Sequence, residues 1–128
     1  VARHGRAMGV WINRTDAPDD GNVIVPSHQR LGPMTVSVYS GGVSARAAAT
    51  IRDEMLAAID ANWRPLLETA APFRNEARSL QDRETRGRFM NRLADDEALA
   101  VLRHGGVDAL RGHYDELLRQ AREDDGSS

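Results

Sequence analysis

The 128-residue chain is 41% hydrophobic but only 5% aromatic, so it suits one domain or two small ones with a core of aliphatic side chains. A net charge of −2 argues against bulk electrostatic binding of nucleic acid. The chain has no Cys and all 17 basic residues are Arg; disulfides, thiolate metal sites, Cys nucleophiles and Schiff bases on Lys are therefore excluded.

The charge is uneven. Residues 1–46 hold five Arg and three Asp, whereas residues 47–128 hold twelve Arg and sixteen acids. The N-terminal segment is thus locally cationic, at +2. No apolar run has the length of a membrane span, and residues 1–13 lack the apolar stretch of a signal peptide. A cytoplasmic protein with no membrane and no nucleic-acid partner is expected.

In chain order, Gly9–Asn13 reads as a short buried strand. Thr15 to Gly21 is a turn by chemistry, because Asp, Pro and Gly each favour a bend. Val23-Ile24-Val25 is a second apolar run, stopped by Pro26. From Met34 to Tyr39 the apolar residues alternate with Thr35 and Ser37, the period of a strand with two distinct faces. Ser44 reads as an N-cap, followed by a helix to about residue 61 whose apolar stripe is Ala48, Ile51, Met55, Ala58 and Ile59. Pro65 suits the first turn of the next helix, which carries Leu66, Leu67, Ala70, Phe73, Ala77 and Leu80. Pro72 is expected to kink or interrupt it. Residues 83–94 and 95–103 read as two short helices, the second opened by Asp95 or Asp96. Gly105-Gly106 is a stop. Residues 107–122 form a last amphipathic helix on Leu110, Tyr114, Leu117 and Leu118, and residues 123–128 read as a disordered tail. The expected fold class is α+β, short strands followed by an α-helical domain, with a seam near residues 60–65.

Two places could carry chemistry. Asp16 lies in the turn. It is either a turn Asp bonded to its own backbone or an acid–base group at the tip of a strand, where open α/β sheets bind ligands. Ser40-Gly41-Gly42-Val43-Ser44 precedes a helix. Its glycines permit close approach to the backbone, and the helix start offers free N–H groups suited to a carboxylate or phosphate. A plain strand-to-helix turn would look the same. No GxGxxG and no GxxxxGK motif occurs. The four histidines, His4, His28, His104 and His113, match no metal spacing, and no metal site is expected; His28 could line a pocket. Arg83, Arg86, Arg88 and Arg92 read as a solvated, salt-bridged helix face.

Taken in order, Asn13-Arg14-Thr15-Asp16-Ala17-Pro18, Ile24-Val25-Pro26-Ser27, Gly32-Pro33, Val36 to Gly42 and Ser44 resemble the siroheme synthase family. Its members are precorrin-2 dehydrogenases, some of which are also sirohydrochlorin ferrochelatases. Arg86-Gly87-Arg88-Phe89 resembles the family's Arg-Arg-Phe-Trp segment, so the likeness spans most of residues 9–103. It departs from the family at Val23 for Phe, Ala45 for Pro, Ala49 for Arg and Met90 for Trp. The family's Gly-rich NAD-binding half is not in the sequence.

The resemblance implies residues 1–23 as the end of a Rossmann-like domain whose last strand is Gly9–Asn13. It makes residues 24–61 a dimerisation region of a homodimer and residues 62–122 a helical domain. It implies NAD as cofactor, a carboxylate-rich tetrapyrrole as substrate and ferrous iron as a possible second substrate. The chemistry would be that of an oxidoreductase, and of a lyase where iron is inserted, in siroheme and porphyrin biosynthesis. Asp16 would be the catalytic proton acceptor. Asn13, Arg14, Ser40, Gly41, Gly42 and Ser44 would contact substrate; which residues would contact the cofactor stays open. Arg30 and the amides of Gly41–Ser44 could also hold carboxylates. The alternative is a non-catalytic dimerisation and tetrapyrrole-binding module without oxidoreductase activity. An unrelated helical adaptor is a third reading.

Overall fold

Gly32-Pro33 shapes the first regular element. The computed structural model describes His4, residues 7–13, Gly21 and residues 23–126. In it Gly32 has φ 60° and, with Pro33, links strand β1 (Ser27–Leu31) to strand β2 (Met34–Val38). Gly at the first position of a two-residue link gives a turn whose twist matches the flanking strands. The result is a two-stranded antiparallel sheet. The burial of β2 alternates along its length, as its period-two sequence predicts. β1 has no such pattern: Ser27, His28, Gln29 and Arg30 are polar, and the turn and the neighbouring strand make it a strand.

Two apolar runs behave differently from expectation. Gly9–Asn13 is irregular backbone rather than a strand, with Gly9 at φ 67°. The Val23 N–H donates to the Ile12 carbonyl at 3.1 Å. Val23–Pro26 is likewise irregular. An apolar run becomes a strand only where a partner edge meets it, and β1 and β2 use each other.

The helices follow. They are α1 (Ala45–Ala58), α2 (Trp63–Glu76), α3 (Arg83–Arg92) and α4 (Asp96–Gly126), with a 3-10 turn at Ala77–Ser79 after α2. This is an α+β fold. Caps explain the starts. The Ser44 hydroxyl accepts from the Ala47 N–H at 3.1 Å, the Asp82 carboxylate from Thr85 N–H at 2.7 Å, and the Asp95 carboxylate from Ala98 N–H at 2.8 Å. That bond from the Thr85 amide also lowers the Asp82 pKa. Pro65 sits in the first turn of α2, where its missing N–H costs nothing.

Pro72 does not end α2, which continues to Glu76. Phe73 and Ala70 beside it, and Ala77 just beyond, are buried, and that burial outweighs one lost backbone bond. Gly106, at φ 74° and ψ −171°, breaks the helical path inside α4, so two helical segments meet at the expected stop. The second segment reaches Gly126, so residues 123–126 are helical rather than part of a disordered tail.

The chain divides into two compact units, one within Val1–Leu31 and Thr35–Ala58 and the other within Gly32–Met34 and Ile59–Ser128. The second unit holds the core. Leu66, Leu80, Leu110 and Tyr114 are fully buried, joined by Phe73, Phe89, Leu93, Leu99, Leu102 and Leu118. Phe73 and Tyr114 pack as a tilted pair with ring centroids 5.2 Å apart. Asp60 accepts from Asn62 N–H at 2.9 Å and pairs with Arg103, tying the entry of α2 to α4. The Arg103 guanidinium, helped by Asn62, holds the Asp60 carboxyl down to about 2. Among the described residues of the first unit, Ala48 alone is fully buried.

Candidate functional site

The first unit contains a cleft of 580 Å³. Its polar lip is Asn13, Ser40, Gly42 and Ser44. Its apolar wall includes Val23, Ile24, Val25, Val38, Tyr39 and Val43. Ile24 and Val25 are each 55% exposed and Val43 is 87% exposed, so this wall stands open in the free chain.

The turn after β2 explains the lip. Gly41 and Gly42 have φ values of 70° and 82°, a left-handed pair that side chains resist. The Val43 N–H donates to the Ser40 carbonyl at 3.4 Å, and the Ser44 N–H to the Ser40 hydroxyl oxygen at 3.0 Å. The loop therefore wraps around Ser40 before α1 begins. Ser40 uses its oxygen as an acceptor, which leaves its hydroxyl hydrogen able to donate to an anion in the cleft.

This geometry corrects one expectation. The Val43 and Ser44 amides are consumed within the turn, and the Ala47 amide by the Ser44 cap. The first-turn amides left for an anion are those of Ala45 and Arg46, at the positive end of the α1 dipole.

Four of the expected substrate residues, Asn13, Ser40, Gly42 and Ser44, meet at the cleft. Gly41 shapes the turn but does not line it. Arg30 lies on β1 and is not among the lining residues, and neither is His28, whose Nδ1 lies 3.2 Å from the Pro26 carbonyl oxygen. Arg14 and Asp16 lie outside the described residues, as does most of the turn from Thr15 to Gly21. Among the described residues no group of three or more His, Asp or Glu side chains could hold a metal ion. No helix among them is long and apolar enough to cross a membrane.

Sequence reasoning passed over Arg52. Its guanidinium donates to the Ser27 hydroxyl at 2.9 Å and to Asp53 at 2.6 Å. This bond ties α1 to the edge of the cleft, where Ser27 is a lining residue. The partners are 25 positions apart, so no local pattern announces them. The exposed apolar wall had a signal, the runs Val23-Ile24-Val25 and Val38-Tyr39, but an apolar run does not itself say whether anything covers it.

No family model matches the chain. Over 122 residues, 94% of its length, it is 30% identical to a siroheme synthase of Nitrosomonas europaea and covers 26% of that protein. It is 26% identical over 119 residues to siroheme synthase 1 of Aeromonas hydrophila, covering 92% of the chain and 26% of the relative. It is 36% identical over 89 residues to a siroheme synthase of Nitrosomonas eutropha, 70% of the chain and 19% of the relative. The chain thus bears a distant likeness to siroheme synthases along nearly all its length, and spans 26% or less of these curated relatives.

Proposed function

We propose that the chain supplies the tetrapyrrole-binding and dimer-forming portion of a siroheme-biosynthesis enzyme, a precorrin-2 dehydrogenase of the family in which some members are also sirohydrochlorin ferrochelatases. The observation that carries this reading is the cleft, whose apolar wall faces a lip of hydroxyls and helix-start amides. A macrocycle with an apolar ring and a rim of carboxylates has the matching chemistry. Its ring would lie on Val23, Val25, Tyr39 and Val43. Its carboxylates would take the Ser40 hydroxyl hydrogen, the Asn13 amide and the Ala45 and Arg46 N–H groups. The likeness to siroheme synthases supports the same substrate class.

Asp16 is assigned the proton-transfer role. Whether the ring is oxidised or loaded with ferrous iron, the macrocycle must release protons, and one positioned carboxylate can accept them. Arg14, beside it in sequence, is assigned to a substrate carboxylate. The sequence has no GxGxxG motif, and the glycine loop between β2 and α1 follows a two-stranded hairpin rather than a strand of a parallel βαβ unit. Among the described residues no site fits NAD.

The homodimer belongs to the same proposal. Of the apolar stripe on α1, Ala48 is buried, whereas Ile51 and Met55 are 46% and 48% exposed. An apolar helix face left open in the free unit suits a second copy. This also supports the alternative reading, a dimerising tetrapyrrole-binding module without oxidoreductase activity.

Titration with sirohydrochlorin tests the assignment. Binding should shift the tetrapyrrole absorbance, and Ser40→Ala should weaken it. Asp16→Ala should leave binding intact and abolish iron insertion. An unchanged spectrum at saturating protein, or iron insertion by Asp16→Ala at the wild-type rate, would sink the reading; binding without insertion by the wild-type chain would select the module.

A further inference from the structure

The helical unit carries a second concavity, of 330 Å³, between the end of α2 and the start of α3. Four arginines line it: Arg74, Arg78, Arg83 and Arg86. Ala77, Gly87 and Met90 complete its surface. Such crowding of like charge is unfavourable unless something offsets it. Arg83, in the first turn of α3, adds a cation at the positive end of a helix dipole.

Arginine faces of this kind are usually neutralised by neighbouring carboxylates, but here the nearby acids are committed elsewhere. Glu76 pairs with Arg122 at 3.0 Å and Glu84 with Arg88 at 3.1 Å. Asp82 caps α3 through the Thr85 N–H, and Asp125 accepts the N–H groups of Gln81 and Asp82 at 2.9 and 2.6 Å. Arg88 and Arg92 are paired as the sequence predicts. Among the described residues, the guanidinium groups of Arg74, Arg78 and Arg83 have neither an ion pair nor a hydrogen bond. Arg86 is fixed, its Nη1 donating to the Leu80 carbonyl at 2.9 Å. The cleft is therefore a cationic concavity inside a segment whose overall charge is negative. Bulk charge does not explain it.

Gly87 opens the surface further. A Cβ built there would meet nothing within 4 Å, so a ligand group can approach the helix closely. Guanidinium forks bind carboxylate and phosphate oxygens in pairs. We propose that this cleft binds a compact polyanion bearing at least two carboxylate or phosphate groups, held by Arg74, Arg78 and Arg83 around the anchored Arg86. This site is separate from the cleft of the first unit and does not depend on the tetrapyrrole reading.

Calorimetric titration of the full chain at low ionic strength, with citrate in one arm and inorganic pyrophosphate in the other, tests it. At least one should bind, and the tighter of the two identifies the group recognised. The double variant Arg78→Gln, Arg83→Gln should weaken that binding by about tenfold or more, since each charge-assisted bond is worth at least one decade. Arg111→Gln, an exposed arginine on α4 outside the cleft, should leave it unchanged. Gly87→Glu provides a check that keeps every arginine: it places a carboxylate in the cleft and should abolish binding while raising the melting temperature. Failure of both probes to bind, equal binding by the wild-type chain and both cleft variants, or an equal loss in Arg111→Gln would overturn the proposal.

Discussion

Tyr114 shows how one side chain can be both core and connector. Its ring is fully buried against Phe73, and its hydroxyl donates to the Leu93 carbonyl at 2.5 Å, bridging 21 positions from α4 back to the end of α3. Burial, with a smaller push from Asp95, raises its pKa to about 12. The folded state holds the phenol neutral while the unfolded chain ionises near the ordinary tyrosine value of about 10. The stabilisation from this shift is complete below pH 10 and is lost as pH climbs toward 12. Tyr114→Phe should cost about 1–2 kcal/mol at neutral pH, because the Leu93 carbonyl loses its partner in a dry site. It should also flatten the alkaline fall in stability. Urea melts of both proteins across pH 9–12 measure this; parallel curves would refute it. The helical spacing of Leu110, Tyr114 and Leu118 made this face legible beforehand. The Leu93 bond was not, because it depends on how two helices meet.

At the scale of elements, the glycine pair in α4 decides where two helical segments part. Gly106 occupies φ 74°, ψ −171°, a region that residues with a Cβ avoid. A Cβ on Gly105 would come within 2.5 Å of the Ala109 Cβ. Gly106→Ala should therefore destabilise the fold by about 1–3 kcal/mol, read as a lower melting temperature in circular dichroism. A variant as stable as wild type would mean the kink is not required. The glycine stop was legible because only glycine tolerates that backbone. The hairpin was half legible: β2 carries its own alternation, whereas β1 owes its state to Gly32-Pro33 and to β2. Gly9–Asn13 shows the converse, an apolar run that stays irregular backbone.

At the scale of the molecule, the two units differ in how they are held. The helical unit has a continuous apolar core running from Leu66 to Ala121. In the first unit only Ala48, among the described residues, is fully buried. A two-stranded hairpin with one helix is marginal on its own, and added surface would stabilise it. Ile51 and Met55 offer such surface, each worth about 1.5–3 kcal/mol if fully buried. Light scattering behind size exclusion should give a dimer mass for the wild-type chain and a monomer mass for the variant Ile51→Asp, Met55→Asp. A wild-type monomer at high concentration would remove the dimer from the proposal.

Local chemistry alone determined the α+β class, the cap at Ser44, the break at Gly105-Gly106 and the core positions between Leu66 and Leu80 and between Leu110 and Leu118, while it left the start of the last helix open between Asp95 and Asp96. Each follows from backbone preference or from the spacing of apolar side chains within one element. Tertiary structure alone decided that Ser40 folds back onto the Ser44 amide, that Arg52 reaches Ser27, and that Ile51 and Met55 stay uncovered. It also decided that Arg74, near the end of α2, and Arg78, in the 3-10 turn after it, share a cleft with Arg83 and Arg86. Those outcomes depend on which surfaces meet and on which carboxylates are already taken, and neither property is carried by any single stretch of chain.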